Sequence, residues 1–480
     1  MANFSSLEIA KKGLLANRFG IDVTSNNIAN VNTPGYSRRQ ATFAESNPLY
    51  TNSGFIGTGV LSEKLRTFRE EYVDKEVRTS LAKQSGYEID EQMFGRIEAI
   101  LAEPSDNGLN ELTAKFFSSF EALSTKPEDL GLRQNVLTIA GTLVDRFHTV
   151  SEHLQSMRVE TGSNIQSNID EANSIIKQIS DLNRKIAGSK SIAGNEAQTL
   201  VDKREALIEG LTKIVGVTVH PVDNGEVNVY INGISIITDG IPSELKAVES
   251  IDAATGEKTM QIAKLDSKGN ALSVVLPNSG EISSLLKHFN TTLDSNDSSG
   301  GFSIFGQIDD FAQALTQKVN AITIDGYGLD DTGALPPGRT FFEPSVGPVT
   351  AATIEISPDV LNRPRDIPIS DSPNEPGNNE LALDIGRLAL DTDFLNGYTP
   401  SEYYTGFIGK LGSLASEANY GLESSKLVSD QLLKQRESVI GVNLDEEAVN
   451  LIKFQRAFEA SSRVINVTNE MLATLVNLGT

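Results

Sequence analysis

The chain has 480 residues and a formal net charge of −23, and its hydrophobic and charged fractions are ordinary for a soluble protein. This excess of negative charge argues against nucleic acid or an anionic membrane surface as a partner, because both bind basic patches. Cysteine is absent, which excludes disulfides, cysteine-based zinc sites and a thiol nucleophile.

Membrane insertion and ordinary secretion are also disfavoured by the sequence. No stretch approaches the roughly 18 apolar residues of a membrane span, and the first residues lack the apolar core of a signal peptide. We therefore expect a protein that either stays in the cytoplasm or leaves it by a route that cleaves no signal.

A seven-residue repeat predicts a helix at the N-terminal end of the chain. Ser5 with Glu8 predicts a capping box at its start, and Thr33-Pro34-Gly35-Tyr36 predicts a type II turn beyond its end. The apolar anchors of the repeat are Leu7, Leu14, Ile21 and Ile28, and the positions three further on are Ala10, Asn17, Thr24 and Val31.

The C-terminal end repeats the same design. Asn443 with Glu446 predicts a capping box, and Asp445, Glu446 and Glu447 favour the positive end of a helix dipole. The anchors are Leu444, Leu451, Phe458, Ile465 and Leu472, and their companions four residues further on are Ala448, Gln455, Ser462, Asn469 and Val476. Either helix alone is typical of a core helix, but the same pattern at both ends predicts that the two ends pair.

The middle of the chain alternates between helical and β-type patterns. Residues 41–60 are typical of an extended segment or hairpin, and alternating β-branched residues predict a small β insert within 215–276. Helical patterns cover 65–125, 132–187, 281–290, 303–324 and 404–440, and the glycines at 141, 162 and 188 are candidate breaks in the longest. Nine of the 17 prolines lie between Pro336 and Pro376, which predicts a loop.

We therefore predict a mainly α fold with an inserted β domain. The terminal helices form a coiled-coil-like pair, both halves of the chain contribute to a helical bundle, and a small β insert lies in the middle. The predicted domains are an axial helical core (1–45 with 440–480), a helical bundle (46–205 with 281–439, with a Pro-rich loop at about 330–380) and the β insert (206–280).

The polar residues in both repeats suggest that the terminal pair is weak by itself. Asn, Gln and Ser replace apolar residues at several of its positions, so little burial is available to offset the entropy of ordering two helices. We hypothesise that the chain ends are mobile in the monomer and order when several copies bury them together.

Two terminal motifs resemble a known family. The segment Ser25-Asn-Asn-Ile-Ala-Asn-Val-Asn-Thr-Pro-Gly-Tyr-Ser-Arg38 is similar to the N-terminal signature of flagellar rod, hook and hook-associated proteins. Its Thr-Pro-Gly-Tyr-Ser-Arg form, together with Ser438-Val-Ile-Gly-Val-Asn-Leu-Asp-Glu-Glu447, most resembles the FlgK family of hook-associated proteins. The matching motif and turn residues are Asn26, Asn27, Ile28, Ala29, Asn30, Thr33, Pro34, Gly35 and Tyr36, and those of the C-terminal motif are Asn443, Asp445, Glu446 and Glu447.

The resemblance implies a non-enzymatic structural component of the bacterial flagellum that joins hook to filament. It implies a homo-oligomeric ring or short helical tier in the axial structure, with the hook protein and the second hook–filament junction protein as partners. It further implies export through the flagellar type III channel to an extracellular position, without a cleaved signal peptide, and an export chaperone on the C-terminal region. It implies no cofactor, and we expect neither nucleic acid nor membrane as a partner.

Three other interpretations remain open at this point. Another flagellar axial protein, such as a hook or distal rod component, shares the terminal pattern. A secreted coiled-coil adhesin or effector is a further alternative, and so is an enzyme with a hydrolytic site in the β insert. The sequence offers little chemistry for the last, since no metal-ligand pair, phosphate-binding loop or nucleophile motif is recognisable.

Overall fold

The computed structural model describes most of the chain, namely residues 2–33, 35–51, 54–101, 105–189, 195–251, 258–266, 268–294 and 302–478. Helix α1 (Ala2–Ala29) comes first and is followed by four short strands. These strands are β1 (Arg39–Glu45), β2 (Leu49–Thr51), β3 (Gly54–Ile56) and β4 (Val60–Thr67). Because α1 begins before Ser5, the predicted capping box at Ser5 and Glu8 is wrong, and both residues lie inside the helix.

The four strands form one long antiparallel hairpin. Its stem pairs β1 with β4, from Arg39 opposite Thr67 to Glu45 opposite Val60, with a bulge at Thr42 and Phe43. Its tip pairs β2 with β3. The hairpin predicted within 41–60 is therefore present.

A run of long helices follows the hairpin, and their bounds are α2 (Glu71–Leu101), α3 (Leu109–Ser124), α4 (Leu130–Ser189) and α5 (Asn195–Ile214). Helix α4 continues without a break over 60 residues, or about 90 Å at 1.5 Å per residue. Its glycines at 141 and 162 do not interrupt it, because a single glycine weakens a helix by only about 1 kcal/mol, and flanking burial in two hydrophobic cores offsets that. Gly188, the third candidate break, lies in the last turn of α4.

The predicted β insert consists of two small antiparallel sheets. The first contains β5 (Thr218–Pro221), β6 (Val227–Ile231), β7 (Ile234–Thr238) and β8 (Ile241–Pro242). The second contains β9 (Leu245–Ile251), β10 (Lys258–Leu265) and β11 (Ala271–Val275), with β10 in the middle. The buried side chains of β6 alternate with half-buried ones, as the alternating sequence predicts.

The second half of the chain returns to helices. They are α6 (Glu281–Lys287), a π-helical turn (His288–Thr292), α7 (Ile304–Thr323), α8 (Glu380–Arg387), α9 (Pro400–Ile440) and α10 (Leu444–Leu478). The proline-rich segment between α7 and α8 contains only the short strands β12 (Phe342–Pro344) and β13 (Ile354–Ile356) and a 3₁₀ turn (Pro364–Asp366). The mainly α fold with a β insert is thus confirmed.

Side chains of the helices anchor the proline-rich segment. Arg133 is buried and donates hydrogen bonds to the backbone carbonyls of Pro127 and Ile367. Asp309 of α7 accepts a hydrogen bond of 2.7 Å from the backbone N–H of Ala351. Burial raises the pKa of Asp309 to about 6, although that hydrogen bond works in the opposite direction.

The described residues form two large hydrophobic cores and a third, small cluster of Val73, Val77 and Leu81 that packs against α9. One lies among α2, α3, the first half of α4, α7, α8 and α9. The other joins the second half of α4 and α5 to the two sheets and α6. Helical residues from 165 to 214 thus share a core with the β insert, whereas the predicted division assigned those up to 205 to the bundle. The predicted domain boundaries stay a prediction.

Candidate assembly site at the paired chain ends

Helices α1 and α10 pack against each other in antiparallel orientation. Their contacts recur every seven residues on each helix: Gly13 against Ser461, Gly20 against Phe454 and Asn27 against Glu447. A Cβ atom on Gly20 would lie 2.8 Å from the Phe454 ring, so the helices approach closely where α1 has no side chain. The seven-residue repeats therefore correspond to a close antiparallel seam.

The predicted α1 anchors lie beside this seam and not at its centre. They are all only half-buried: Leu7, Leu14, Ile21 and Ile28. The fully buried positions carry small or polar residues, namely Ala10, Ala16, Gly20, Val23, Thr24 and Asn27. Large anchors cannot lie at the centre because the short interhelical distance leaves no room for them.

On α10 the predicted anchors alternate with the residues that contact α1, and most of them are half-buried. The half-buried ones are Leu451, Phe458, Ile465 and Leu472, whereas Leu444 is exposed at the first turn. The companion positions lie three residues after the anchors (Phe454, Ser461 and Thr468), so the prediction of companions four residues after them is wrong. A seam repeats at alternating steps of three and four, and apart from Phe454 the residues at the step of three are as polar as those at the step of four, so the sequence gave only one signal for the correct choice. The part these anchors play in assembly stays a prediction.

A second apolar surface on α10 faces away from α1. We call it the outer stripe, and it consists of two groups of exposed residues, Val449 with Ile452 and Val464 with Val467 and Met471, which are separated by a segment that contains the exposed Lys453, Arg456 and Arg463. From residue 464 onwards, the only charged residue up to the end of the chain is Glu470. Exposed apolar surface of this kind marks an interaction site.

The side chain of Asn27 joins the two helices to the hairpin at one end of the seam. Its amide donates to the Glu447 carboxylate at 3.0 Å and to the backbone carbonyl of Arg39 at 2.8 Å. Its carbonyl accepts from the Arg39 N–H at 3.1 Å and from the Tyr36 hydroxyl at 2.8 Å. We call this end of the pair the joint. Asn27 is fully buried, and these four bonds satisfy its polar atoms.

Glu447 is the acidic centre of the joint. It is only 2% exposed, and Arg38 contacts its carboxylate through Nε and Nη2, each at 2.8 Å. Arg38 Nη1 also binds the exposed Glu446 at 2.9 Å. Asn443 accepts hydrogen bonds from the N–H groups of Asp445 and Glu446 and so caps α10. The C-terminal motif therefore caps its own helix and holds the segment after α1.

The turn between α1 and β1 brings the N-terminal motif into the joint. The N–H of Tyr36 bonds to the carbonyl of Thr33, and Gly35 has a φ of +75°, as the predicted turn requires. Pro34 lies outside the described residues. Burial raises the pKa of the Tyr36 hydroxyl, whose oxygen also lies 3.0 Å from Asn26 Oδ1, so its single proton is shared between two amide oxygens.

The other motif residues occupy the last turn of α1 and the segment after it. Asn30 donates to the backbone carbonyl of Asn26 and accepts from the Thr33 hydroxyl. Ile28 is half-buried, and Ala29 is the exposed last residue of the helix. The motif therefore stabilises the end of α1 and its exit into the hairpin.

Arg39 extends the joint into the body of the molecule, which the sequence did not reveal. Its guanidinium binds Asp202 at 3.1 Å and Thr199 at 3.0 Å, both on α5, and lies over the Tyr36 ring. On the same helix, Glu205 lies near Arg78 of α2 at 3.5 Å. The position of Arg39 directly after the motif was the only sequence signal for this contact. Its partners Thr199 and Asp202 are about 160 residues away along the chain, so no local pattern connects them.

Metal clusters and membrane-spanning helices are two features that the described residues do not show. No group of three or more His, Asp or Glu side chains among them could hold a metal ion. None of their helices is long and apolar enough to cross a membrane. His288 and Asp90 pair at 2.9 Å, but the histidine is completely buried and packs against Phe94, as expected for a core pair. The paired chain ends are therefore the best-supported functional site.

Comparison with known proteins decides the family. A family model described as the flagellar hook-associated protein FlgK helical domain matches residues 94–342, which is more than half of the chain. The chain belongs to the FlgK family. It is a structural component of the bacterial flagellum, at the hook–filament junction.

Individual relatives agree over nearly the full length. The flagellar hook-associated protein 1 of Bacillus subtilis is 25% identical over 99% of this chain and 98% of its own length. The proteins of that name from Salmonella typhimurium and Escherichia coli are 26% and 23% identical, each over 99% of this chain and all of their own length. The solved structure of the flagellar hook junction protein FlgK from Burkholderia pseudomallei shares the fold, with a TM-score of 0.61 at 12% identity, over 77% of this chain and all of that one.

Two further family models match the chain ends alone. One, described as a flagella basal body rod protein, matches residues 7–36, and the other, described as the flagellar basal body rod FlgEFG protein C-terminal, matches residues 438–478. These are the two segments that meet in the α1–α10 pair and its joint. The two segments of the terminal pair are thus similar to families of basal body rod proteins, whereas the helical middle matches the FlgK helical domain.

Proposed function

We propose that the protein joins hook to filament by packing its α1–α10 pairs side by side in a ring or short helical tier. This proposal rests on one observation: each α1–α10 pair is covered by its own chain on one side and exposed on the other. The seam and joint bury one face of α10 within the chain, while the outer stripe stays exposed. A neighbouring copy would cover that stripe.

The joint would fix the angle at which each pair leaves the body. Arg38 and Arg39 hold α10 and α5 through adjacent residues of one extended segment. A rotation of the axial pair relative to the body would break both ion pairs, and each has one partner that is almost completely buried. Mechanical load applied to the pair would therefore pass into α5 and from there into the body.

We extend the hypothesis that the chain ends order on assembly, because the two ends of the α1–α10 pair differ in their contacts. At the joint, Asn27 and Glu447 are satisfied within one chain. Apolar burial does not change along the pair, since Leu7 and Leu472 are half-buried like the anchors nearer the joint, so the joint differs from the free end by its buried polar contacts. We therefore propose that the joint is ordered in the monomer and that the free end becomes stable only in the assembly.

The partners we propose are the hook protein on one side of the tier and the second hook–filament junction protein on the other. Support comes from the terminal segments, since residues 7–36 and 438–478 match families of rod and hook type. Similar paired ends would allow this chain to continue the packing of a hook subunit. The alternative of a hook or distal rod component is disfavoured by the match of 94–342 to the FlgK helical domain.

Export through the flagellar channel, without a cleaved signal, would bring the chain to an extracellular position. The outer stripe supports the proposal of a chaperone on the C-terminal region, because an exposed apolar helix face needs cover before assembly. We further propose that the chain has no catalytic role and no cofactor, since the names of its relatives describe flagellar components. The division into an axial core, helical bundle and β insert remains part of this proposal.

Deletion of the gene in the source bacterium tests the junction role. Cells should then make hooks without filaments and lose filament protein to the medium, and the intact gene supplied in trans should restore filaments. Filaments that stay attached in the deletion strain would refute the proposal. A secreted adhesin or effector would leave motility unchanged, so the same strain separates that alternative.

A further inference from the structure

The tip of the hairpin is an exposed apolar knob. Tyr50 and Phe55 face each other across β2 and β3 with ring centroids 5.1 Å apart, and they are 75% and 73% exposed. Leu49 and Ile56, the next pair along the tip, are also exposed. Residues 46–62 contain no charged side chain in a chain where 22% of residues are charged. Aromatic enrichment and depletion of charge are typical of the core of a protein interface.

The stem of the hairpin fixes where this knob lies. Lys12 donates to the Ser46 hydroxyl at 2.9 Å, and Gly59 lies against the backbone of Ile9. From Arg39 to Ser46 the strand covers about 23 Å at 3.3 Å per residue. From Asn27 to Lys12 helix α1 covers about 22 Å at 1.5 Å per residue. The strand therefore runs along α1 towards the free end of the pair.

This geometry places the knob at the height of the outer stripe. Residues 46–48 link β1 to β2, so at a strand spacing of 3.3 Å per residue Tyr50 lies at most about 13 Å beyond Ser46, which corresponds to at most about nine helical residues. The seam contacts put Lys12 level with residue 462 of α10, so Tyr50 is level with the part of α10 between residue 462 and Met471. Tyr50 and Met471 are both exposed, so they do not cover each other within one chain.

We propose that the hairpin tip of one copy packs on the outer stripe of the adjacent copy, around Val467 and Met471. This inference rests on the proposed side-by-side packing of the axial pairs. Two different patches on one chain make a heterologous contact, which propagates from copy to copy into a ring or helix. Because both patches lie at about the same position along the axis of the α1–α10 pair, neighbouring copies can make this contact without a large shift along that axis.

Cysteine cross-linking tests the contact directly, because the chain has no cysteine of its own. The deletion strain would be complemented with a Tyr50→Cys, Met471→Cys double variant, and flagella isolated from motile cells would be treated with a short bismaleimide. A ladder of covalent multimers is expected on an immunoblot. Co-expression of the two single variants should give dimers only, since each copy then carries one reactive position.

A matched control lies further along the same stripe. Val449 is exposed like Met471 but lies about 33 Å from it along α10, so Tyr50→Cys with Val449→Cys should give no multimers. If the first double variant does not support motility, Phe55→Cys with Val467→Cys replaces it, and the same readout applies.

Motile cells without multimers, or equal multimers with Val449→Cys, would overturn the inference. An adduct with the mass of a different protein would also overturn it, since the tip would then contact another component. Failure of the proposed function is recognised separately, because filaments would then remain in the uncomplemented deletion strain.

Discussion

Replacement of Glu447 by glutamine tests the joint most sharply. The change keeps the size of the side chain but removes the charge that Arg38 binds through two nitrogens. It also replaces one acceptor oxygen by an NH₂ group, which is a hydrogen-bond donor like the Asn27 amide and the Arg38 guanidinium that face it. Removal of one partner of a buried ion pair costs about 3–5 kcal/mol. Because Arg38 keeps Glu446 and is 23% exposed, we expect a cost nearer 2–3 kcal/mol for opening of the joint.

Hydrogen exchange of the purified chain measures this cost locally. Amides in residues 20–30 and 444–456 should exchange about 30- to 150-fold faster in Glu447→Gln. The matched control is Glu446→Gln, which removes the exposed partner of the same arginine and should accelerate exchange at most about fivefold. Equal acceleration in both variants, or none in Glu447→Gln, would refute the assignment of Glu447 as the centre of the joint.

Two further predictions concern the seam and the body of the molecule. Gly20→Ala should destabilise the α1–α10 pair by about 1–2 kcal/mol, because the added Cβ would clash with the Phe454 ring. The cost of this overpacking is larger than the gain in helix propensity. Gly13→Ala places a Cβ 3.2 Å from the Ser461 hydroxyl, which is a smaller obstacle than the Phe454 ring, so this variant should change the stability of the pair by less than about 1 kcal/mol. Hydrogen exchange that showed a larger loss for Gly13→Ala than for Gly20→Ala would contradict the seam. In the body, burial raises the pKa of the Asp309 carboxyl group to about 6. The folded state therefore binds the carboxyl proton more tightly than the unfolded state does. As a result, the free energy of unfolding decreases as the pH rises from about 4 to 6. Asp309→Asn should therefore raise the free energy of unfolding by about 2–3 kcal/mol at pH 7.5 and by little at pH 4, and urea unfolding that showed no pH dependence of this difference would contradict it.

Elements with strong local signals were predictable from sequence. The two heptad repeats predicted α1 and α10, and the density of prolines predicted the irregular segment after α7. Alternating β-branched residues predicted the strands of the insert. In each case the pattern follows from a backbone geometry that repeats every few residues.

Features set by distance between elements were not predictable. The seam centres on Gly20 and Asn27 because the helices come close there, and a pattern search looks for large apolar residues instead. Glu447 was predicted as a favourable charge at a helix start, but its burial depends on Arg38, 409 residues away along the chain. The core shared by α5 and the β insert likewise depends on tertiary packing.

Imaging of isolated flagella by electron cryomicroscopy, with the hook–filament junction intact, tests the central claim most directly. The account predicts one tier of this protein in which the α1–α10 pairs lie innermost, side by side, with the outer stripe of each pair covered by its neighbour and the β insert further out. A tier in which the terminal pairs make no contact with neighbouring copies, or a junction that lacks the protein, would contradict it.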